Sequence, residues 1–214
     1  SVGRAAKTFN PFYAASPTDN VPNDVKWTQV ENYDGFGRAT KVKLQDGNVV
    51  ETYFNEAAVS FTDSDGQART GIASRVKDQA DKERRQIFDA LGRVVRVDEP
   101  TTAGLGSADA PYQPTFYYYD GNDNLSRIVQ KETGGVMQER KFKYDSLSRL
   151  THEKQVEAAP TLAANGTYGA PDANKWTKVL KYDNFGRMTE ATDARGVKPH
   201  SRIPLPRRIA YSVT

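Results

Sequence analysis

The strongest constraint on the fold is a short motif that recurs along the chain. It consists of an aromatic residue, Asp, two variable residues, a Gly or small polar residue, often Arg, and then an apolar residue. Its copies, with a weaker one at Asp63 included, follow one another at intervals of 25 to 38 residues. They comprise Tyr33, Asp34, Gly37 and Arg38; Phe88, Asp89, Gly92 and Arg93; Tyr119 and Asp120; Tyr144, Asp145 and Arg149; and Tyr182, Asp183, Gly186 and Arg187. Such self-similarity predicts an array of small repeated units.

The motif has the chemistry of a chain reversal. An Asp at the start of a turn accepts hydrogen bonds from backbone N–H groups just ahead of it. Gly three residues later permits φ > 0, as in a type I turn followed by a bulge. Weaker relatives of the motif begin at Asp63, Asp78 and Asp193. Ser148 replaces the Gly in one copy and is expected to carry strain, whereas Asp81 and Asp123 are better tolerated there.

The segments between the turns have the alternation of β-strands. Phe142 and Tyr144 alternate with lysines, and Val95 and Val97 alternate with Arg96. This period of two predicts strands with one buried and one solvated face, which places Arg96 on the solvated side. The charged segment 76–87 resembles a helix, but a hairpin turn at 78–81 continues the spacing and is the favoured interpretation.

The repeat divides the chain into three predicted regions. Residues 1–24 are an irregular N-terminal segment, 25–196 a sheet built from the repeats, and 197–214 a basic, proline-containing tail that is poorly ordered. Loop-like stretches at about 10–24, 99–114 and 157–174 are interpreted as surface excursions between neighbouring hairpins. The tail holds Pro199, Pro204 and Pro206, which cannot donate to a sheet ladder.

Composition excludes several classes of protein. The chain has 214 residues and no Cys, so it has neither a disulfide framework nor a zinc–thiolate site. No apolar run is long enough to span a membrane as a helix. The net charge is +3, and the excess of cations lies beyond Gly196. Because the body is close to neutral, we expect no nucleic-acid partner.

The candidate catalytic and metal-binding residues are weak. The chain has two His, His152 and His200, and neither lies in a sequence pattern typical of nucleophilic catalysis. Residues 120–131 begin like an EF-hand loop but have Leu125 and Lys131 where Gly and Glu are needed. A carboxylate pair for glycoside hydrolysis is the third alternative. We predict no catalytic, cofactor or metal site, and hence no enzyme.

Two tryptophans are the candidate ligand-binding residues. A second repeat, Lys-Trp-Thr-x-Val, begins at Lys26 and again at Lys175, and it places Trp27 and Trp176 six residues before a motif tyrosine. Aromatic residues at strand ends usually belong to the core. If these rings line an exposed face, they are typical of carbohydrate-stacking platforms.

Tyr-Asp-x-x-Gly-Arg followed by an apolar residue resembles the YD repeat of the rearrangement-hotspot (RHS) proteins, over about residues 25–196. Relatives of this family include toxin-complex shell subunits and the teneurin adhesion proteins. The resemblance implies consecutive antiparallel hairpins that coil into a continuous sheet, and in long members a hollow shell. In bacteria such shells enclose a C-terminal toxin, and in teneurins they serve cell-surface adhesion.

We therefore predict an all-β chain of consecutive antiparallel β-hairpins in a curved, open sheet. The function expected is a non-catalytic segment of an RHS/YD-repeat shell that encloses or presents a polypeptide cargo. The alternative is a cell-surface adhesion module that binds carbohydrate or protein through exposed aromatics and loops. The expected partners are flanking repeats or further copies at open sheet edges, and also a toxin cargo or glycan. The resemblance places the protein in a secreted or cell-surface bacterial setting.

Overall fold

The computed structural model describes residues 3, 6–13, 16, 26–131, 137–156, 176–194 and 197–198. In these ranges the chain is all-β and contains no helix. The strands are β1 (Lys7–Phe9), β2 (Trp27–Tyr33), β3 (Ala39–Lys43), β4 (Val49–Tyr53), β5 (Ala58–Thr62), β6 (Ala68–Lys77), β7 (Glu83–Phe88), β8 (Val94–Asp98), β9 (Pro114–Tyr119), β10 (Leu125–Lys131), β11 (Met137–Tyr144), β12 (Leu150–Lys154), β13 (Lys178–Tyr182) and β14 (Met188–Asp193).

The strands form one antiparallel sheet in which neighbours follow the order of the chain. The path runs from β1 through β4 to β6 and on to β14, with β5 paired to β6 beside it. In the described part of the chain this path does not close, so the prediction of an open sheet of consecutive hairpins is confirmed. The hairpin favoured at 78–81 is also confirmed, since β6 and β7 flank that turn.

The chain comprises two compact units. One unit contains residues 1–117 and 129–137, and the other contains 118–128 and 138–214. Because successive strands are antiparallel neighbours, the aromatic–Asp turns of each unit lie at one end of its strands. The weaker turns at Leu44 and Asp78 lie at the opposite end in the first unit.

Residues 1–24 are not entirely irregular, in contrast to the sequence prediction. Lys7–Phe9 forms β1 and pairs with the start of β2. The rings of Phe9 and Trp27 lie 5.9 Å apart, so the pairing is supported by an aromatic contact.

The core of the first unit is covered by two segments that extend from the sheet. One is the β5–β6 arm, defined as residues 58–71, and the other is the β8–β9 loop, residues 99–113. Phe61 of the arm stacks on Phe116 at 6.3 Å, and Leu105 of the loop is buried. Residues 99–114 therefore are not a simple surface excursion, because they supply a core side chain.

Arg96 does not lie on a solvated face, which corrects the prediction from alternation. Its exposure is 1%, and Val95 and Val97 on the other face of β8 are buried as well. The arm and the loop cover the face that period-two patterning assigns to solvent. A strand buried on both faces carries no alternation signal that separates core from surface.

Several predictions from the sequence concern residues outside the described ranges. These are the loop at 157–174, His200 and the tail from Pro199 onward. No helix of the described residues has the length and apolar character needed to cross a membrane.

Candidate functional site

The repeated aspartate turn is the structural unit that the sequence pointed to, and its geometry is the same in every described copy. The carboxylate oxygen Oδ1 accepts hydrogen bonds from the backbone N–H groups two and four residues later, at 2.8 to 3.0 Å. This holds at Asp34, Asp63, Asp78, Asp89, Asp120, Asp145 and Asp183. The carboxylate thus replaces water for two amides that the turn leaves without a ladder partner.

The third residue after each Asp adopts positive φ. Gly occupies this position in four of the turns named above, with φ of 85° at Gly37 and 79° at Gly186. Asp81, Asp123 and Ser148 have φ of 59°, 70° and 59°. In the hairpins of Asp34, Asp89, Asp145 and Asp183 the ladder register also shifts by one residue just before the turn, as between Lys181 and Tyr182. The turn is a type I reversal with a bulge, as its spacing predicted.

The motif arginines bind the aspartate of their own turn. Nε donates to Oδ2 at 2.6 Å in Arg38–Asp34, 2.8 Å in Arg93–Asp89, 2.7 Å in Arg149–Asp145 and 2.8 Å in Arg187–Asp183. Where the motif lacks Arg, other residues take this role. Arg69 reaches Asp63 from six residues away, and the Asn124 amide binds Asp120.

These contacts lower the pKa of six turn carboxyls, those of Asp34, Asp63, Asp89, Asp120, Asp145 and Asp183. At Asp183 the backbone bond from Arg187 is the main cause, and at Asp120 it is the side-chain bond from Asn124. At Asp145 partial desolvation raises the pKa, but the bonds from Arg149 and Leu147 outweigh it. These six turns therefore hold charged aspartates at neutral pH.

Two of the motif tyrosines, Tyr144 and Tyr182, join consecutive hairpins, a role that the sequence analysis missed. The Tyr144 hydroxyl donates to the carbonyl oxygen of Leu125 at 3.0 Å, and the Tyr182 hydroxyl to that of Leu150 at 2.8 Å. Each acceptor is the fifth residue after the preceding turn Asp, so both bonds have the same register. The preference for Tyr over Phe before Asp was the available signal.

Arg149 adds a second contact between the last two hairpins. Its Nη1 donates to the Asp183 carbonyl at 3.3 Å, and its guanidinium lies 4.7 Å from the centre of the Tyr182 ring. The Asp–Arg pair of one turn thus supports the aromatic residue and backbone of the next.

Exposed apolar side chains cap the turns that contain Arg, and the sequence analysis also missed these. The residue two positions after Asp is Phe36, Leu91, Leu147 or Phe185, with exposures of 86%, 74%, 70% and 85%. The Phe36 and Phe185 rings lie 5.5 and 5.3 Å from the guanidiniums of Arg38 and Arg187. An apolar residue at this variable position, coupled to Arg two residues on, was the signal in the sequence.

A buried arginine–aspartate cluster, Arg85, Arg96 and Asp98, lies beneath the β8–β9 loop. Arg96 donates to Asp98 from Nε at 2.8 Å and Nη2 at 2.9 Å, and Arg85 Nη1 lies 3.3 Å from Asp98. Asp98 has no exposed surface. Burial raises its pKa, and the Arg96 and Arg85 guanidiniums oppose that shift.

The same two arginines attach the loop to the sheet. Arg85 donates to the Gly106 carbonyl at 3.3 Å, and Arg96 donates to the Ala108 carbonyl. Two guanidiniums against one carboxylate leave one positive charge in excess, and the loop carbonyls face that excess. The cluster thus holds the covering loop on the sheet through hydrogen bonds.

The candidate ligand-stacking tryptophans each have neighbours on their rings. Lys7 lies 4.5 Å from the Trp27 ring centre, beside the Phe9 contact, and 36% of Trp27 is exposed. Lys143 lies 4.8 Å from the Trp176 ring centre, and the His152 ring packs edge-on at 5.1 Å. Burial and the Lys143 charge lower the pKa of His152.

The acidic side chains that line one open groove already have other partners. This groove, of about 500 Å³ between β4, β6 and β7, has Asp78, Glu83 and Glu99 in its lining. Asp78 caps its own turn, Glu83 pairs with Arg75, and Glu99 pairs with Arg84 at 2.8 Å. Within the described ranges, no three His, Asp or Glu side chains come together as metal ligands.

Several solved structures have a fold similar to that of this chain. The fold is similar to that of chains in crystal structures of TcdB2-TccC3-TEV, TcdB2-TccC3-Cdc42 and TcdB2-TccC3, with TM-scores of 0.51, 0.51 and 0.50. In each case sequence identity is 16%, and the match covers 80% of this chain and 7% of the other. At this level of identity the likeness shows a shared all-β sheet fold. No family model and no curated protein matches the sequence.

Proposed function

We propose that the chain is a non-catalytic structural segment of an RHS/YD-repeat shell, and that the shell encloses or presents a polypeptide cargo such as a C-terminal toxin. The observation that carries this proposal is the repetition of one hydrogen-bonded aspartate turn along a single sheet path. An active site needs one unique arrangement of catalytic side chains. An Asp that caps the turn in the same way at each reversal instead has the repeated structural role typical of a repeat protein.

The structural neighbours support the same role. The TcdB2-TccC3 chains are toxin-complex shell proteins, and this chain spans about 7% of their length. A segment of that size contributes only a part of a wall. We therefore propose that flanking repeats pair with the outer edges of β1 and β14, whose ladders end there in the described sheet.

The same comparison supports a proposal about where the protein acts. We propose that the protein acts outside the bacterial cytoplasm, either secreted or at the cell surface, where a shell would carry its cargo. Its partners in this proposal are the flanking repeats and the enclosed polypeptide. Neither a nucleic acid nor a bound cofactor has a role in it.

Electron cryo-microscopy of the full-length protein that carries this segment tests the proposal. We expect the fourteen strands to form part of a closed wall around density for an enclosed polypeptide. A full-length particle in which this sheet surrounds no cavity would overturn it. Hydrolysis of a glycan by the isolated chain, lost in Asp89→Asn while folding is retained, would overturn the non-catalytic part.

The adhesion alternative depends on Trp27, whose ring is partly exposed. A glycan array with the chain and with Trp27→Ala distinguishes the two functions. Binding that the variant loses without unfolding favours an adhesion module, and no binding by either protein favours the wall segment.

A further inference from the structure

Strand β5 has an outer edge that no described strand covers. Its five residues pair with β6 from Ala58–Ile72 to Thr62–Ala68, and it pairs with no other strand of the described residues. Strand β4 occupies the same edge of β6 further along, where Thr52 faces Val76. Since β3 pairs with β4, no strand of the described ranges occupies the position beside β5.

The alternation of an antiparallel ladder tells which backbone groups point outward. Asp63 N–H donates to the Gln67 carbonyl at 2.9 Å, so this pair is a hydrogen-bonded one. Bonded and non-bonded pairs alternate, which makes Phe61–Arg69 and Val59–Gly71 bonded pairs as well. The N–H and C=O groups of Ala58, Ser60 and Thr62 therefore point away from β6.

The edge has none of the devices that usually prevent strand pairing. Its sequence is Ala-Val-Ser-Phe-Thr, without a charged residue, a proline or a bulge. The end strand β14 differs, since Glu190 there pairs with Lys181 and Lys198. Side chains of β5 alternate between exposed Ala58, Ser60 and Thr62 and buried Val59 and Phe61.

We propose that β5 is the contact through which two copies of this chain associate, as an antiparallel pair with a two-fold axis at Ser60. Ser60 would face the partner's Ser60, and Ala58 would face the partner's Thr62. The outward groups at positions 58, 60 and 62 are then all hydrogen-bonded, because this register joins outward positions only to outward positions. Val59 would lie opposite the partner's Phe61, which extends the buried apolar face across the contact.

A second copy is the occupant that this edge fits best. An uncharged strand meets its own copy without like-charge repulsion, and the two nearest acids, Glu56 and Asp63, are paired with Arg75 and Arg69. A strand of five residues whose first, third and fifth residues direct their backbone N–H and C=O groups outward can pair with an identical strand in antiparallel orientation. The inference does not depend on the shell proposal, since it concerns a lateral edge away from β1 and β14.

Single cysteines test the register, because the chain contains no Cys. Cα atoms of a bonded antiparallel pair lie about 5.5 Å apart, within reach of a disulfide. Under mild oxidation we expect Ser60→Cys to form a covalent dimer. Ala58→Cys and Thr62→Cys are matched controls that should form no covalent dimer alone and should crosslink when mixed. Equal crosslinking of all three single variants, or none in Ser60→Cys and in the mixture, would overturn the proposal.

A second measurement removes the hydrogen bond without adding a thiol. The Ser60 N–H points away from β6, so Ser60→Pro removes an outward donor and spares the β5–β6 ladder. By sedimentation velocity we expect this variant to weaken dimer formation at least tenfold, while Ser60→Ala dimerises like the parent. Identical dimerisation of folded Ser60→Pro and the parent would contradict the proposal. If the full-length protein formed no shell but the crosslinking and sedimentation results were as expected, only the proposed function would be refuted.

Discussion

The hydroxyl of Tyr182 donates a 2.8 Å hydrogen bond to the carbonyl oxygen of Leu150, across the boundary between two consecutive hairpins. Tyr144 makes the equivalent bond to Leu125. Tyr144 and Tyr182, each directly before a turn Asp, therefore do more than bury a ring. Each of them fixes its own hairpin to the one before it.

Removal of that hydroxyl is the first test. We expect Tyr182→Phe to lower the free energy of unfolding by about 0.5 to 1.5 kcal/mol, because it leaves the Leu150 carbonyl without this donor. Urea denaturation measures the loss. Tyr13→Phe is the matched control, since 91% of Tyr13 is exposed. Equal stability of both variants would show that the bond contributes nothing.

The close approach at Gly71 gives a second test. A Cβ atom there would lie 2.5 Å from both Ile87 Cγ2 and the Phe88 carbonyl oxygen, where the arm leaves the sheet. We expect Gly71→Ala to destabilise the protein by roughly 1 to 3 kcal/mol through overpacking. Gly35→Ala has open space and should be close to neutral. Thermal unfolding of the two variants should therefore differ clearly, and matching curves would contradict the close packing.

Positive φ at Ser148 gives a third test. Its φ of 59° is strained for a residue with a Cβ, so Ser148→Gly should stabilise the chain by about 1 kcal/mol. Gly186→Ala is the reciprocal variant, with φ of 79° and a nearest atom at 3.8 Å, and should lose a similar amount. Chemical denaturation measures both changes. Destabilisation by Ser148→Gly would mean that the Ser side chain makes a contact worth more than the strain.

The buried arginine–aspartate cluster is the fourth test. Arg96→Met leaves Asp98 buried with only Arg85 beside it, so we expect a loss of about 3 to 5 kcal/mol. The double variant Arg96→Met with Asp98→Leu removes both charges and should lose less than the sum of the single variants. A double-mutant cycle by denaturant unfolding measures the difference. Strict additivity would show that the two side chains do not interact.

Acid sensitivity follows from the turn carboxyls. The backbone bond from Arg187 is the main reason that the pKa of Asp183 is lowered in the folded state. A lowered folded-state pKa contributes stability above the ordinary value near 4, and this contribution disappears as the pH falls through the lowered value. Urea midpoints at pH 7 and pH 3 should show a smaller difference in Asp183→Asn than in the parent. An equal difference would exclude a role for this carboxylate.

The turns were predictable from sequence because their chemistry is local. Asp89, Gly92 and the intervening residues contain every group that makes the reversal, so spacing alone identifies it. The substitutes Asp81 and Asp123 were predictable for the same reason, since tolerance of positive φ is a property of the residue.

The buried cluster was not predictable, because its causes are non-local. Arg96 alternates with Val95 and Val97 as a solvated residue would, and only the arm and the loop bury it. Leu105 gave no signal, since it stands alone in a Gly-rich stretch. The tyrosine bonds were missed because their acceptor is a backbone carbonyl, and a carbonyl has no sequence signature.

The central claim is that the repeated aspartates are turn caps, and the stability of two variants at Asp89 tests it most directly. Asp89 Oδ1 accepts the Leu91 and Arg93 N–H groups, and Oδ2 accepts the Arg93 side chain. Asn keeps an oxygen acceptor for the amides but loses the charge, and Ala loses both. Urea midpoints should fall in the order parent, Asp89→Asn, Asp89→Ala. Unchanged midpoints in both variants would contradict the account.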